Sequence, residues 1–292
     1  TSNASVSRIP ISCAQKGRGP SQVKLGVLGA GNFASATLLP AIHKVDGIEL
    51  AGIASAGGLH AAHAARKFGF AYAASSDEEI LNDPQINTVA ILTRHDTHAD
   101  LATRALQAGK HVFVEKPLAL TREQLAVIRE QLLKTEQGLL MAGFNRRFAP
   151  LAQRLHAWLA DRREPLFMHY RVNAGFLPLN HWLHDPAQGG GRIIGEGCHF
   201  VDFLTFLAGA VPLSVSARAL PDDGKYRQDN VSMTFAFPDG SVGVVDYLAN
   251  GDKSYPKERL EVFCAGRIAV LDDFRTLELI HNGQRKRIKH VP

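Results

Sequence analysis

The chain has 292 residues, 45% of them hydrophobic and 21% charged, which suits two globular domains and excludes a disordered or fibrous protein. The net charge of +5 is modest and partly set by Arg285, Lys286, Arg287 and Lys289, read as a solvated strand end without the aromatic interleaving of a nucleic-acid platform. No apolar run reaches membrane-spanning length, and the three cysteines, Cys13, Cys198 and Cys264, fit neither a disulfide framework nor a zinc spacing. A cytoplasmic protein without nucleic-acid or membrane partners is expected.

Residues 1–21 open with Ser2-Asn3-Ala4, which looks like a tag scar, and continue Ser-, Gly- and Pro-rich as a disordered or extended linker. Then strands Val23 to Leu28 and Ile48 to Ala54 alternate with helices over Phe33 to Val45 and Leu59 to Phe68. A strand near Ala71, a helical turn at Asp77 to Leu81, the strand Thr88 to Leu92, a helix over Thr97 to Ala108 and the strand His111 to Val114 extend the alternation. Thr121 and Gln124 form a capping box for a helix to Lys134, and Leu139 to Ala142 is a sixth strand. The order predicts a doubly wound parallel sheet over residues 22–145.

From 146 to 292 the pattern becomes α+β. A helix at Pro150 to Ala160, a strand at Leu166 to Ala174 and a helix across His199 to Leu207 precede six strands. These are Val215 to Leu220, Val231 to Phe237, Val242 to Tyr247, Arg259 to Cys264, Arg267 to Leu271 and Thr276 to Ile280, joined by turns such as Asn282-Gly283 and predicting a large, mainly antiparallel sheet.

Gly29-Ala30-Gly31-Asn32-Phe33-Ala34 follows a strand and opens a helix, the context in which a GxGxxG/A pattern binds a dinucleotide. Gly29 permits the turn, Gly31 lets backbone approach a pyrophosphate, and Ala34 allows close packing, with helix amides left for phosphate. The second strand ends at Ser55 where an NAD enzyme usually has a carboxylate. Ser55, Gly57 and Gly58 leave room for a 2′-phosphate, so the cofactor is NADP or NAD, with NADP favoured. His60 and His63, three apart on a helix, have no third ligand nearby, and no metal is assigned.

Glu115-Lys116-Pro117 after the fifth strand, Thr93-Arg94-His95-Asp96-Thr97-His98, Gly143-Phe144-Asn145-Arg146-Arg147-Phe148 and Gly197-Cys198-His199-Phe200-Val201-Asp202 stand in one order over residues 23 to about 210. With them the chain resembles the glucose-fructose oxidoreductase, inositol dehydrogenase and rhizopine-catabolism family. The resemblance implies a cis proline at 117 and a cofactor site of Gly29, Gly31, Asn32, Phe33, Ala34, Ser55, Thr93, Arg94, His98, Glu115, Lys116 and Asn145. It also implies proton transfer by Lys116 and His199. The family often has Asp-x-Gly-x-His, but this chain reads Gly195-Glu196-Gly197-Cys198-His199, so Glu196 is the candidate replacement carboxylate.

Arg147, Tyr170, Asn173, His181, Trp182, Arg192 and His199 are the expected substrate contacts, with Arg192 as anion anchor and Trp182 as a stacking face for a sugar ring. The expected reaction moves a hydride between nicotinamide and a secondary alcohol of a sugar, sugar nucleotide or cyclic polyol. The alternatives are an inactive nucleotide-binding regulatory or scaffold module, and a lyase or hydrolase with a recycled, tightly bound NAD. The resemblance further implies a homo-oligomer, dimer or tetramer. Residues 170–192 resemble a branch fused behind a zinc-type dehydrogenase-like domain, from which a fused N-terminal partner and a truncated C-terminal helix are expected.

Overall fold

The computed structural model describes residues 8–10, 23–56, 58–135 and 138–290. Cys13, Gly57 and most of the expected linker lie outside them. The chain divides into two compact units, one running to Gly143 and including Ala187–Gly189, the other comprising Phe144–Pro186 and the chain from Gly190.

The first unit is built on strands β1 (Arg8–Pro10), β2 (Val23–Leu28), β3 (Ile48–Ala54), β4 (Tyr72–Ala74), β5 (Thr88–Ile91), β6 (His111–Val114) and β7 (Leu140–Ala142), in the order β1-β4-β3-β2-β5-β6-β7. Strands β2 to β7 are parallel, with the sheet order reversing between β2 and β5. Their apolar runs are buried because crossover helices pack on the sheet. Val27, Ile53, Val89, Ile91 and Val114 are at 0% exposure. Arg8–Pro10, set aside in the sequence as linker, pairs antiparallel with β4.

The helices are α1 (Leu39–Ile42), entered through a π-turn at Ala34–Leu38, α2 (Leu59–Phe68), α3 (Glu78–Leu81), α4 (His95–Gln107) and α5 (Arg122–Lys134). The capping box of α5 forms as read: Thr121 Oγ1 accepts from Gln124 N, and Gln124 Oε1 accepts from Thr121 N, each at 3.2 Å. Ala187–Gly189, expected in the second domain, belongs to this unit because the Gly189 carbonyl lies 3.0 Å from His95 Nδ1 and Gln188 accepts from Arg94.

The second unit contains α6 (Pro150–Leu159), β8 (Phe167–Asn173), a π-turn at Ile193–Gly197 that leads into α7 (Cys198–Ala208), and β9 (Ser214–Ala219), β10 (Asn230–Ala236), β11 (Val242–Leu248), β12 (Glu258–Cys264), β13 (Arg267–Asp272), β14 (Thr276–His281) and β15 (Gln284–Lys289). The eight strands are ordered β15-β14-β13-β12-β8-β11-β10-β9 and are antiparallel apart from β8 against β11. One face packs Met168, Tyr170, Val172, Val245 and Leu260 against Leu155 of α6 and Phe200, Phe203 and Leu204 of α7. The basic run Arg285 to Lys289 is the solvated edge strand β15. Among the described residues neither Cys198 nor Cys264 is in a disulfide, and no helix is long and apolar enough to cross a membrane.

Candidate active site

In a parallel sheet, binding residues collect beyond the carboxyl ends of the strands. The glycine turn stands there, at the end of β2. Gly29 has φ +102°, a left-handed backbone that favours glycine, and a Cβ built on it would lie 2.6 Å from the Leu92 carbonyl oxygen. A Cβ on Gly31 would meet no atom within 4 Å, so open space faces this residue. Gly31, Asn32 and Phe33 are exposed and Ala34 is 1% exposed. The turn thus offers an open cradle and the first amides of a helix, which fits a pyrophosphate.

At the end of β3, Ser55 Oγ accepts from the Ala61 amide at 3.0 Å and so anchors the start of α2. Arg66 and Lys67 fall in the last turn of that helix, at the far end from Ser55. His60 and His63 are exposed on it, and among the described residues no three potential ligands converge.

Beyond β5 and β6 the two family motifs of this unit meet. His98 is fully buried, with Nδ1 2.8 Å from the Pro117 carbonyl and Nε2 3.1 Å from the Thr93 carbonyl. It therefore ties the end of β5 to the Lys116–Pro117 turn, whose peptide bond is cis. Expected as a cofactor contact, His98 has both ring nitrogens within hydrogen-bonding distance of backbone carbonyls. Burial pulls its pKa down, against those two carbonyls. Thr97 Oγ1 lies 2.7 Å from Thr93 Oγ1 and 2.9 Å from the Arg94 carbonyl, closing the entry to α4, while Arg94 is exposed. Glu115 is pushed up by burial, against the pull of Lys116, and accepts from the Lys116 amide at 3.3 Å. Gly143 leaves room for it, because a Cβ there would lie 2.8 Å from its Oε1.

His95 was not singled out from the sequence, where its partner Gly189 is 94 residues away. It is 9% exposed, and burial lowers its pKa to about 4, with Lys116 and His98 adding to the effect. A neutral imidazole therefore stands beside Lys116.

In the second unit, the Gly143 to Phe148 motif supplies two clamps. Arg146 meets Glu258 with Nε at 2.9 Å and Nη2 at 2.6 Å, and Tyr170 donates to the same carboxylate. Arg147 holds Asp202 through Nε, at 3.0 Å, and Nη2. One family motif thus grips another, and Asn145 is exposed beside the clamp.

Several expected substrate contacts are spent inside this unit. Tyr170 is 1% exposed and packs edge-on against Phe200, so it is a core residue. Arg147 is committed to Asp202. Arg192, expected as an anion anchor, is 4% exposed and gives Nε and Nη2 to Glu196 at 3.0 and 2.9 Å and Nη1 to the Gly175 carbonyl at 2.7 Å. Asn173 is buried and donates to the carbonyls of Asp252 and Tyr255. His181 accepts from the Leu183 amide, and its ring lies 5.7 Å from that of half-buried Trp182.

Glu196 also accepts from Tyr247. Burial works to raise its pKa but is outweighed by Tyr247, Arg192 and Lys257, so it titrates below the ordinary carboxylate range. Burial and the Glu196 charge push the Tyr247 phenol far up. His199, in the first turn of α7, is 8% exposed with Phe144 edge-on at 6.2 Å. The helix was expected to begin at His199, but the π-turn opens it at Ile193, which winds Arg192, Glu196 and His199 into one continuous element.

The parallel sheet with an open glycine turn at the carboxyl end of β2 defines a dinucleotide-binding unit of the Rossmann class. Residues 23–144 match the oxidoreductase family with an NAD-binding Rossmann fold, and residues 164–268 match the GFO/IDH/MocA C-terminal domain. The chain belongs to the GFO/IDH/MocA oxidoreductase family. It is 32% identical over 203 residues to the 1,5-anhydro-D-fructose reductase of Ensifer adhaerens, covering 66% of this chain but 60% of the reductase. It is 29% identical over 236 residues to the scyllo-inositol 2-dehydrogenase (NAD(+)) of Bacillus subtilis (strain 168), covering 77% and 67%. Its fold matches that of a levoglucosan dehydrogenase in complex with NADH and levoglucosan, with a TM-score of 0.79 over 92% of this chain and 80% of that one at 24% identity.

Proposed function

We propose that the chain moves a hydride between nicotinamide and a secondary alcohol of a sugar or cyclic polyol. The observation that carries this reading is the placement of the open Gly31 cradle and Lys116 beyond the carboxyl ends of the same parallel sheet. Gly29 to Ala34 would hold the pyrophosphate, and the bound nicotinamide would supply the redox chemistry. Lys116 moves the proton at the carbinol oxygen, held in place by the turn that His98 fixes. His199 is the second proton-transfer group, kept dry by its burial. The names of the relatives, a reductase of an anhydro sugar and an inositol dehydrogenase, support the substrate class. Arg66 and Lys67 lie in the last turn of α2, away from its Ser55 end, which favours NAD over the NADP expected from the sequence.

Gly195, in place of the family aspartate, favours one second reading, a nucleotide-binding module without turnover. Glu196 does not simply fill that gap, since its Oε2 is engaged by Arg192 and Tyr247. Titration with NADH and NADPH, followed by turnover of a polyol panel with Lys116→Ala, separates the two. The oxidoreductase reading requires tight binding of NADH and a fall in kcat of about 10²- to 10⁴-fold in the variant. Turnover unaffected by Lys116→Ala would refute it.

The row Ala236, Val242, Phe167, Phe263, Ile268 and Ile280, in register across six strands on the face opposite α6 and α7, supports a homo-oligomer through this sheet. Cys198 and Cys264, in no disulfide among the described residues, support a reducing compartment such as the cytoplasm.

A further inference from the structure

His199 lies in a helical turn that one side chain grips on either side of it. Tyr247, near the carboxyl end of β11, is 0% exposed. Its hydroxyl donates to Glu196, and its ring lies 6.1 Å from that of Phe200, tilted by 42°. Glu196 and Phe200 are about one turn apart, so both stand on the same face of the element that carries His199. Glu196 stands between Gly195 and Gly197, which have no side chain to pack.

The same turn is tied to the neighbouring strand. Arg192 gives Nε and Nη2 to Glu196 at 3.0 and 2.9 Å and Nη1 to the Gly175 carbonyl just beyond β8 at 2.7 Å, and its Cζ lies 5.3 Å from the Tyr247 ring. Strands β8 and β11 are adjacent and parallel, with Tyr247 in register with Val172, so these contacts fix the turn to the carboxyl ends of two strands. Burial opposes the charge of Glu196 but is outweighed by Tyr247, Arg192 and Lys257, while burial and that charge keep the phenol protonated. Donor and acceptor therefore do not exchange roles, and the bond is charge-assisted.

We propose that Tyr247 is a positioning residue for the reaction, which sets the place of the His199 imidazole by clamping Glu196 and Phe200 on either side of it. The inference rests on the oxidoreductase reading with His199 as the second proton-transfer group. Proton transfer needs its two heavy atoms within about 2.6–3.2 Å, and a misplacement of about 1 Å can cost about 10²-fold in rate. A phenyl ring at position 247 keeps the contact with Phe200 and gives up the one with Glu196, which loosens a turn already weakened by two glycines.

The test is Tyr247→Phe in the intact protein, alone and combined with His199→Ala. With the imidazole present, kcat for polyol oxidation is expected to fall about 10- to 100-fold while the Kd for NADH stays in place. In the His199→Ala background the same substitution should change kcat by less than about twofold, because the group that it positions is gone. Amide hydrogen exchange needs no turnover: residues 196–200 should exchange about tenfold faster in Tyr247→Phe, and residues 203–207 of the same helix at the wild-type rate. An unchanged kcat, equal losses in both backgrounds, or unaltered exchange at 196–200 overturns the proposal. Should Tyr247→Phe fail to fold, Glu196→Gln weakens the same bond from its acceptor end, and the same exchange pattern decides. Failure of the parent reading would appear separately, as wild-type protein that turns over no polyol while exchange still reports the clamp.

Discussion

The neutral His95 beside Lys116 makes a defined contribution to the pH dependence of stability. Its pKa is lowered from 6.5 to about 4, first by burial and then by the charges of Lys116 and His98. A base whose native pKa lies below its unfolded one binds fewer protons when folded. Its stabilisation is therefore complete above the unfolded value and is lost as pH falls toward the native one. Between about pH 7.5 and about pH 5 the unfolded chain takes up nearly one proton at this site and the native chain about a tenth of one, which amounts to about 2 kcal/mol. His95→Asn removes the titration while keeping a polar group near Gly189. Urea unfolding of both proteins across that window should show the wild type losing about 2 kcal/mol more than the variant. The raised carboxyls Glu115 and Asp229 act in the opposite direction, but they are common to both proteins and cancel. Parallel stability curves would refute the reasoning and mean that His95 takes up its proton without resistance from its surroundings.

Two glycines of one turn should behave differently. Gly29→Ala combines a left-handed backbone with a clash against the Leu92 carbonyl and should cost about 2 kcal/mol or more in thermal or urea unfolding. Gly31→Ala meets no protein atom and should leave the melting temperature in place while weakening NADH binding at least about tenfold; unaltered binding would remove the pyrophosphate from this turn. Arg146→Met strands the carboxylate of Glu258, whose side chain is 10% exposed, and should lose about 3–5 kcal/mol in urea unfolding. Adding Glu258→Gln should return part of the loss, and a single variant within about 1 kcal/mol of wild type would show that the pair is dispensable.

Apart from β1 and the Ala187–Gly189 segment, the first unit was legible in the sequence, element by element. Strands β2, β3 and β6 and helix α2 fall where periodicity places them, and the order reverses at β2 and β5 as the crossover rule requires. These are local properties, since apolar runs, glycine conformations and capping boxes act within a few residues. The same holds for the glycine cradle and for the placement of Lys116 after β6. The second unit's sheet was also legible as a run of strands, including the solvated strand end that is β15, but not the parallel pairing of β8 with β11.

Which charged side chains remain available for chemistry was decided only by the tertiary structure. Arg147, Arg192 and Tyr170 read as ligand contacts because they are polar and sit near the family motifs. Each finds its carboxylate or its core in the folded unit instead: Asp202 is 55 residues from Arg147, and Glu258 is 88 from Tyr170. The π-turn that joins Glu196 to His199 leaves no composition signal, and the link from His95 to Gly189 spans 94 residues. A buried polar group must find a partner, and a sequence shows the need without showing the partner, because the pairing depends on which surfaces the fold brings face to face.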